Sequence, residues 1–444
     1  MHLIKPNLSR MPPTAHSSKG SVIYTDDNKR ILDASSGAIA CSLGYGHEYV
    51  IGKMLEQAHR MSAAYRTQFV NIPAEQLAER LCSKLSYSGA FFVNSGSEAV
   101  EAACRVAIQY WDEKGLPKKK HILSRTISYH GSTKATLSLS GHWPRRRGIS
   151  NPAERPTVPT PYCYRCPYGR TPKTCQLACA NALETELSNV GSDDIAALLI
   201  EPITGASGAA IVPPAGYLEK IRDICTRHNI LLIADEVLTA IGRTGKWLAS
   251  EHGHIKADIC ILGKGLNAGY FPISGILVCE PIKEAIELGS GIFSYGHTHS
   301  NHPVGAAVAN AVLDMIEAEE LVALSAERGS TIESHLRRCM ATSSLIGDIR
   351  GKGMFWGIEI VKDNVEKNTF SKNLSVADKL IEHAISKGLN LYPASGFASH
   401  AHGDALIFAP PLNTPPIIFN EMLSLLSDVL YSAPEFLRKE SVYA

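Results

Sequence analysis

Residues 230–279 read ILLIADEVLTAIGRTGKWLASEHGHIKADICILGKGLNAGYFPISGILVC, and three apolar runs in this stretch decide the fold. Ile230–Ala234 (ILLIA), Ile259–Leu262 (ICIL) and Ile276–Cys279 (ILVC) are too short for helices and lack the alternation of a half-solvated strand. They read as strands buried on both faces. The first is followed by Asp235-Glu236 and the second by Gly263-Lys264-Gly265. A carboxylate leaving a buried strand needs a partner, because an unpaired buried charge is costly. A lysine between two glycines at a buried strand end cannot easily lie along a surface to reach water. Burial would lower its pKa and favour the neutral, nucleophilic amine. The plainer alternative is a strand-end lysine that snorkels to solvent.

Working outward, Ala90–Val93 (AFFV), Ile122–Leu123 and Ile195–Ile200 (IAALLI) repeat the buried-strand pattern. Amphipathic helices lie between several of these runs. One carries Val100, Ala103, Cys104 and Ala107 on a single face, another Leu218, Ile221, Cys225 and His228. Apolar strands separated by helices predict an α/β chain with a mainly parallel sheet covered on both faces. We place this large domain at residues 51–310. Residues 1–50 and 311–444 are expected to build a smaller α+β domain from both termini. The signals there are a hairpin around Asp26-Asp27-Asn28, two strands about a Gly turn in Ile349–Val361 (IRGKGMFWGIEIV), a helix over Val376–Lys387, a strand at Leu406–Ala409 and a final helix. Residues 151–183 are Pro-rich and hold Cys163, Cys166, Cys175 and Cys179. This segment reads as an insertion or long functional loop and not as a core element.

Composition narrows the class. The 444 residues carry 44 Lys+Arg against 43 Asp+Glu, so no global charge points to nucleic acid or an anionic membrane. No apolar run approaches the roughly 20 residues of a membrane helix, and the start of the chain is polar and proline-broken. The 11 cysteines are an odd number and mostly scattered singly, as in a reduced cytoplasmic protein.

In open parallel sheets ligands sit beyond the carboxyl ends of the strands. After Ala90–Val93 comes Asn94-Ser95-Gly96-Ser97-Glu98, leading into a helix. A Ser-Gly-Ser turn there offers free N–H groups, two hydroxyls and the positive end of the helix dipole, all suited to a phosphate. Plain helix capping by Ser95 or Ser97 is the simpler reading of that turn alone. A phosphate site, a buried Asp and a buried Lys on three strand ends of one sheet together match the needs of pyridoxal 5'-phosphate: an anchor, a counter-charge for the pyridine nitrogen and an amine for the aldehyde.

The DEV–GRTG–KG–G pattern of residues 230–279 resembles the class III (ω-amino acid) aminotransferases of the fold-type I pyridoxal phosphate enzymes. NSGSEAVEAA, SYHGST, IEPITGASG, YGHTHSNHP and IRGKGMFWGIEI extend the resemblance over nearly the whole chain. It implies that Lys264 forms the Schiff base and that Asp235 pairs with the pyridinium nitrogen. Ser95, Gly96 and Ser97 would bind the phosphate. Tyr129 would cover one ring face with His130 beside it, Val237 would pack on the other, and Glu201 would lie near the cofactor. Thr298 would reach the phosphate of the neighbouring subunit, which implies a homodimer with shared active sites. The expected reaction moves an amino group from an amine or amino acid to a keto acid or aldehyde, with no nucleic-acid or membrane partner. An amino-acid epimerase or decarboxylase on the same scaffold is the alternative, since Lys264 and Asp235 serve those reactions equally well. A catalytically inactive binding protein is disfavoured by the intact Lys264 and Asp235.

The sequence also departs from the family pattern. Many relatives that bind α-carboxylates carry an arginine just before a Gly-Asp pair. Here His400 and His402 precede Gly403-Asp404, and Ala206 stands where some relatives have a glutamate partner for that arginine. Histidine is a poor substitute for a bidentate carboxylate clamp. Ile39 occupies a position where several amine-accepting relatives have an aromatic side chain. The C-x2-C-x8-C-x3-C spacing could suit a structural zinc, although free thiols fit the family better and no metal is expected. His297, His299 and His302 flank Thr298 and read as pocket or interface residues.

Overall fold

The apolar runs assemble into the middle layer of the molecule. We describe a computed structural model of the chain, covering residues 2–5, 11–146, 157–398 and 402–440. The central sheet has seven strands in the spatial order Gly89–Val93, Ser274–Val278, Ile259–Leu262, Leu231–Asp235, Ile195–Ile200, His121–Arg125 and Thr157–Val158. All pairings are parallel except those of Ser274–Val278, which runs antiparallel to both its neighbours. Every residue of Ile195–Ile200 is buried, as expected for a strand covered on both faces.

Helices supply those covers. In Gly96–Glu113, Ala99, Val100, Ala102, Ala103, Val106, Ala107 and Trp111 are buried, and they pack on Phe91, Val93, Ile233 and Ile261. On the opposite face, Tyr217–Arg227 and Ala178–Val190 enclose Leu198, Ile200 and Leu232. His228, expected on the helical face, instead caps the C-terminus of Tyr217–Arg227.

Two smaller sheets flank this layer. Ala15–Lys19, Val22–Thr25 and Arg30–Asp33 form an antiparallel meander joined by Leu389–Asn390 from the other end of the chain. Ile346–Lys352, Phe355–Ile360, Asp404–Phe408 and Tyr392–Ser395 form an antiparallel sheet. The long helix Pro416–Lys439 buries Met422, Leu426, Val429 and Leu430. Gly353, with φ +54, makes the turn between the first two strands of the latter sheet, and a Cβ there would lie 2.3 Å from the Thr244 carbonyl carbon. The GRTG motif thus packs its backbone against this turn. Its Arg243 is buried and donates to the carbonyls of Met354 and Pro410, and burial pushes its pKa down to about 10.

Residues 151–183 are not purely loop. Thr157–Val158 pairs with Ser124–Arg125 as an edge strand, and Ala178 begins a thirteen-residue helix that buries Cys179, Ala180 and Leu183. A two-residue strand is too short to show any periodicity, so the sequence pattern hid it.

Candidate functional site

A cavity of about 420 Å³ opens at the carboxyl ends of the central strands. That is ample for a small cofactor. Ser95, Gly96, Ser97, Tyr129, His130, Glu201, Asp235, Val237 and Lys264 all line it. Each lies at or beyond a strand end: Gly89–Val93 leads to the Ser-Gly-Ser turn, His121–Arg125 to Tyr129 and His130, and Ile195–Ile200 to Glu201. Leu231–Asp235 ends in the aspartate, and Ile259–Leu262 leads through Gly263 to Lys264.

At one end, the helix Gly96–Glu113 points its N-terminus into the cavity. Ser95 caps it: Ser95 Oγ accepts from Glu98 N at 3.3 Å, and Glu98 Oε2 accepts from Ser95 N at 3.1 Å. The capping reading of Ser95 therefore holds, and the same turn still faces the cavity. Ser97 Oγ accepts from Ser132 N at 3.0 Å, which leaves its own O–H to donate. The backbone comes close here because side chains are absent: a Cβ on Gly131 (φ +133) would lie 2.5 Å from Ser97 Oγ.

At the floor, Asp235 Oδ2 pairs with His130 Nδ1 at 2.8 Å, and Oδ1 accepts from Val237 N at 3.2 Å. Both side chains of the pair are almost fully buried. With the carboxylate accepting, Nδ1 carries a hydrogen, and Nε2 is buried with no hydrogen-bond partner among the described residues. Glu201 accepts from Tyr129 N at 3.1 Å and Gly205 N at 2.8 Å, and burial raises its pKa. Lys264 sits at φ +41, a strained conformation for a lysine. Burial, reinforced by the Arg145 charge and opposed by Asp235 and Glu201, pulls its pKa down to about 8.

The neighbouring acid behaves differently. Glu236 accepts from Ser250 N at 2.8 Å, from Ala249 N at 2.9 Å and from the Thr239 hydroxyl. These contacts shape the next loop, and Glu236 is absent from the cavity wall.

Other expected residues lie elsewhere. Thr298 is exposed on a turn outside the cavity. His297 Nε2 is 3.5 Å from Glu98 Oε2, and His302 caps the helix Pro303–Ala318 while packing on Phe271. His400 lies outside the described residues. The His402 ring nitrogen Nδ1 bonds the Phe370 carbonyl at 3.1 Å and does not line the cavity. Ile39 is buried among Tyr162, Ile203 and Phe397, and its neighbours Ala38 and Ala40 face the cavity instead. Cys163, Cys166, Cys175 and Cys179 line one separate small cavity. Among the described residues no group of three or more His, Cys, Asp or Glu is arranged to hold a metal ion.

Among the wall residues that escaped the sequence reading are Arg145 and Tyr392. The Arg145 guanidinium carbon stands 4.1 Å from the Tyr129 ring centroid, and its Nη2 donates to the Tyr392 hydroxyl at 3.3 Å. Arg145 sits in the basic run PRRR, and Tyr392 arrives from a distant strand.

The residues present suit pyridoxal phosphate: a helix N-terminus approached closely by glycine backbone, a buried carboxylate, an orphaned imidazole nitrogen and a depressed lysine share one cavity. The family profile described as Aminotransferase class-III matches residues 4–430. "Uncharacterized aminotransferase YodT" of Bacillus subtilis (strain 168) is 41% identical over 442 residues, covering 99% of each chain. An amine transaminase from an uncultivated Pseudomonas species, solved in its PLP-bound form, superposes with a TM-score of 0.90 at 30% identity over 98% of each chain. The omega transaminase of Pseudomonas jessenii in complex with PMP gives a TM-score of 0.88 at 31% identity, over 98% of this chain and 94% of that one.

Proposed function

Because the chain belongs to the class-III aminotransferase family and moves amino groups with pyridoxal 5'-phosphate, we propose that the cavity at the strand ends is where it does so, with Lys264 and Asp235 as its catalytic residues. When bound, the cofactor supplies an aldehyde to carry the amino group and an electron-withdrawing pyridine ring. Ser95, Gly96 and Ser97 hold its phosphate through the helix N-terminus and the free Ser97 O–H. Asp235 keeps a proton on the ring nitrogen by charge pairing, and His130 Nδ1–H fixes the angle of that carboxylate. Tyr129 and Val237 confine the ring between them, and Glu201 holds the Tyr129 backbone in place.

Lys264 has two duties. Its Nζ binds the aldehyde carbon at rest. Once a substrate amine has displaced it, the freed Lys264 amine would take a proton from the substrate carbon and deliver it to the carbon that had been the cofactor's aldehyde. A pKa near 8 suits both duties, since it makes a far larger minority of the amine neutral near physiological pH than an ordinary lysine would have. The observation that carries this reading is the convergence of Lys264, Asp235 and the Ser-Gly-Ser turn on one cavity from three separate strands.

We further read the working unit as a homodimer, with the exposed Thr298 reaching the phosphate site of the second copy. Phe69, Val70, Ile72 and Ile292, each more than 60% exposed, supply apolar surface that a partner would cover. A cytoplasmic location agrees with eleven free thiols. No helix among the described residues is long and apolar enough to cross a membrane.

The test is a half-reaction. An amino donor alone should convert the cofactor absorbance once and stop, and a keto acid should restore it. Continuous turnover of a single amino acid without an acceptor would point instead to epimerisation.

A further inference from the structure

The cavity contains one cation whose purpose the amino-transfer chemistry leaves unexplained. Among the described wall residues Arg145 is the only arginine, and Lys264 the only lysine. Arg145 projects from the short turn Trp143–Arg146 with its guanidinium over Tyr129 and bonded to the Tyr392 hydroxyl. No carboxylate among the described residues lies within ion-pair distance of it. The acids nearest the chemistry are otherwise engaged, Asp235 by His130 and Val237 N, Glu201 by two backbone amides. His142, in the same turn, is tied through Nε2 to the Ser395 carbonyl at 2.7 Å. Burial, reinforced by the Arg145 charge, pulls its pKa down to about 4 and leaves it neutral.

Other arginines near the site are committed to the fold. Arg125 donates to the Glu201 carbonyl and lies over the Tyr217 ring. Arg243 holds Met354 and Pro410. His402 is bound to the Phe370 carbonyl and Ala206 carries no charge.

Resting on the aminotransferase reading, we propose that Arg145, assisted by Tyr392, binds the carboxylate of an amino-acid donor or keto-acid acceptor, so that this chain selects carboxylate-bearing substrates over simple amines and aldehydes. The geometry suits that ligand. A guanidinium presents paired N–H donors matched to the two oxygens of a carboxylate. Stacking on Tyr129 limits its plane before substrate arrives, which lowers the ordering cost of binding. Tyr392 accepts from Nη2 and keeps its own O–H to donate to the same carboxylate. The charge of Arg145 is felt at Lys264, so the two groups act on one cavity.

The test compares matched donors with and without the carboxylate: alanine against isopropylamine, and 4-aminobutyrate against butylamine. Each is titrated into the holoenzyme while the cofactor spectrum is followed. Arg145→Leu should weaken the preferred carboxylate donor by about 10- to 100-fold, the range for losing a charge-assisted hydrogen-bonded pair. Its amine counterpart, which shares any change Arg145 makes at Lys264 or Tyr129, should lose at least about tenfold less, and Arg145→Lys should recover part of the difference. Equal losses for both members of a pair, an unchanged carboxylate donor, or a wild-type enzyme that converts only the amines would overturn the proposal. If Arg145→Leu takes up no cofactor, Arg145→Lys carries the same comparison, since it keeps the charge and loses the fork. A wild-type enzyme that converts no donor at all would instead contradict the aminotransferase reading, and the unperturbed cofactor spectrum would distinguish that failure from this one.

Discussion

Two groups of buried charge sit in this molecule and are built to opposite ends. Around Glu359, the ions close on one another. Arg165 Nε donates to Glu359 Oε1 at 2.7 Å, Arg350 Nη1 donates to Oε2 at 2.7 Å, and the Tyr162 hydroxyl donates to the same oxygen. Arg350 also reaches Asp348 and the Gly208 carbonyl. Three distant segments are thereby tied: the Cys-rich stretch, the C-terminal sheet and the loop after Ile195–Ile200. In the cavity, by contrast, Lys264 keeps a depressed pKa, His130 Nε2 has no partner among the described residues, and Arg145, exposed at the mouth, has no ion-paired acid among them. The first group pairs its charges with one another on folding, although Arg165 Nη2 and Arg350 Nε keep no hydrogen-bond partner among the described residues. The second leaves Lys264 and Arg145 facing an open cavity. Burial alone therefore does not separate the two groups; opening onto the cavity does.

Substitutions in the two groups should separate rate from stability. The largest effect is expected from Asp235→Asn, which removes the charge and keeps an oxygen for His130 Nδ1–H. The donor half-reaction should slow by about 10³-fold or more, with little change in unfolding midpoint. Near-normal rates would remove Asp235 from the proposed role. Glu359→Gln should do the reverse. Leaving Arg165 without its counter-charge and Arg350 with Asp348 alone should cost about 3 to 5 kcal/mol of stability, read by urea unfolding. The half-reaction of the folded fraction should be close to wild type. If Glu359→Gln slowed the chemistry as strongly as Asp235→Asn, the distinction between the two groups would fail.

Much of the site is legible in the sequence because one rule governs it. Strands buried on both faces announce themselves as apolar runs, and the residues just beyond each run lie at the ligand-binding edge. That rule alone places Asp235, Lys264 and the Ser95-Gly96-Ser97 turn. The direction of Ser274–Val278 is not legible, because a fully apolar run looks the same whichever way it points. Thr157–Val158 is too short to register. Arg145 and Tyr392 escape for a different reason. Their meeting depends on a turn and a strand nearly 250 residues apart, and neither carries a local pattern. The Glu359 group is of the same kind, drawn from three remote segments. His402 stands in sequence near where relatives carry a carboxylate-binding arginine, and folding commits it to the Phe370 carbonyl.

The central claim is that Lys264 presents a reactive neutral amine in the cavity. Apoprotein mixed with pyridoxal 5'-phosphate across a pH series, reduced with borohydride and digested tests it directly by mass. The lysine is pulled from its usual value down to about 8, so its neutral fraction, and with it the initial rate of uptake, should climb as pH rises through 8 and level off above. A single cofactor adduct, on the peptide containing Lys264, is the expected product at every pH. An adduct on another lysine, or none, would contradict the account.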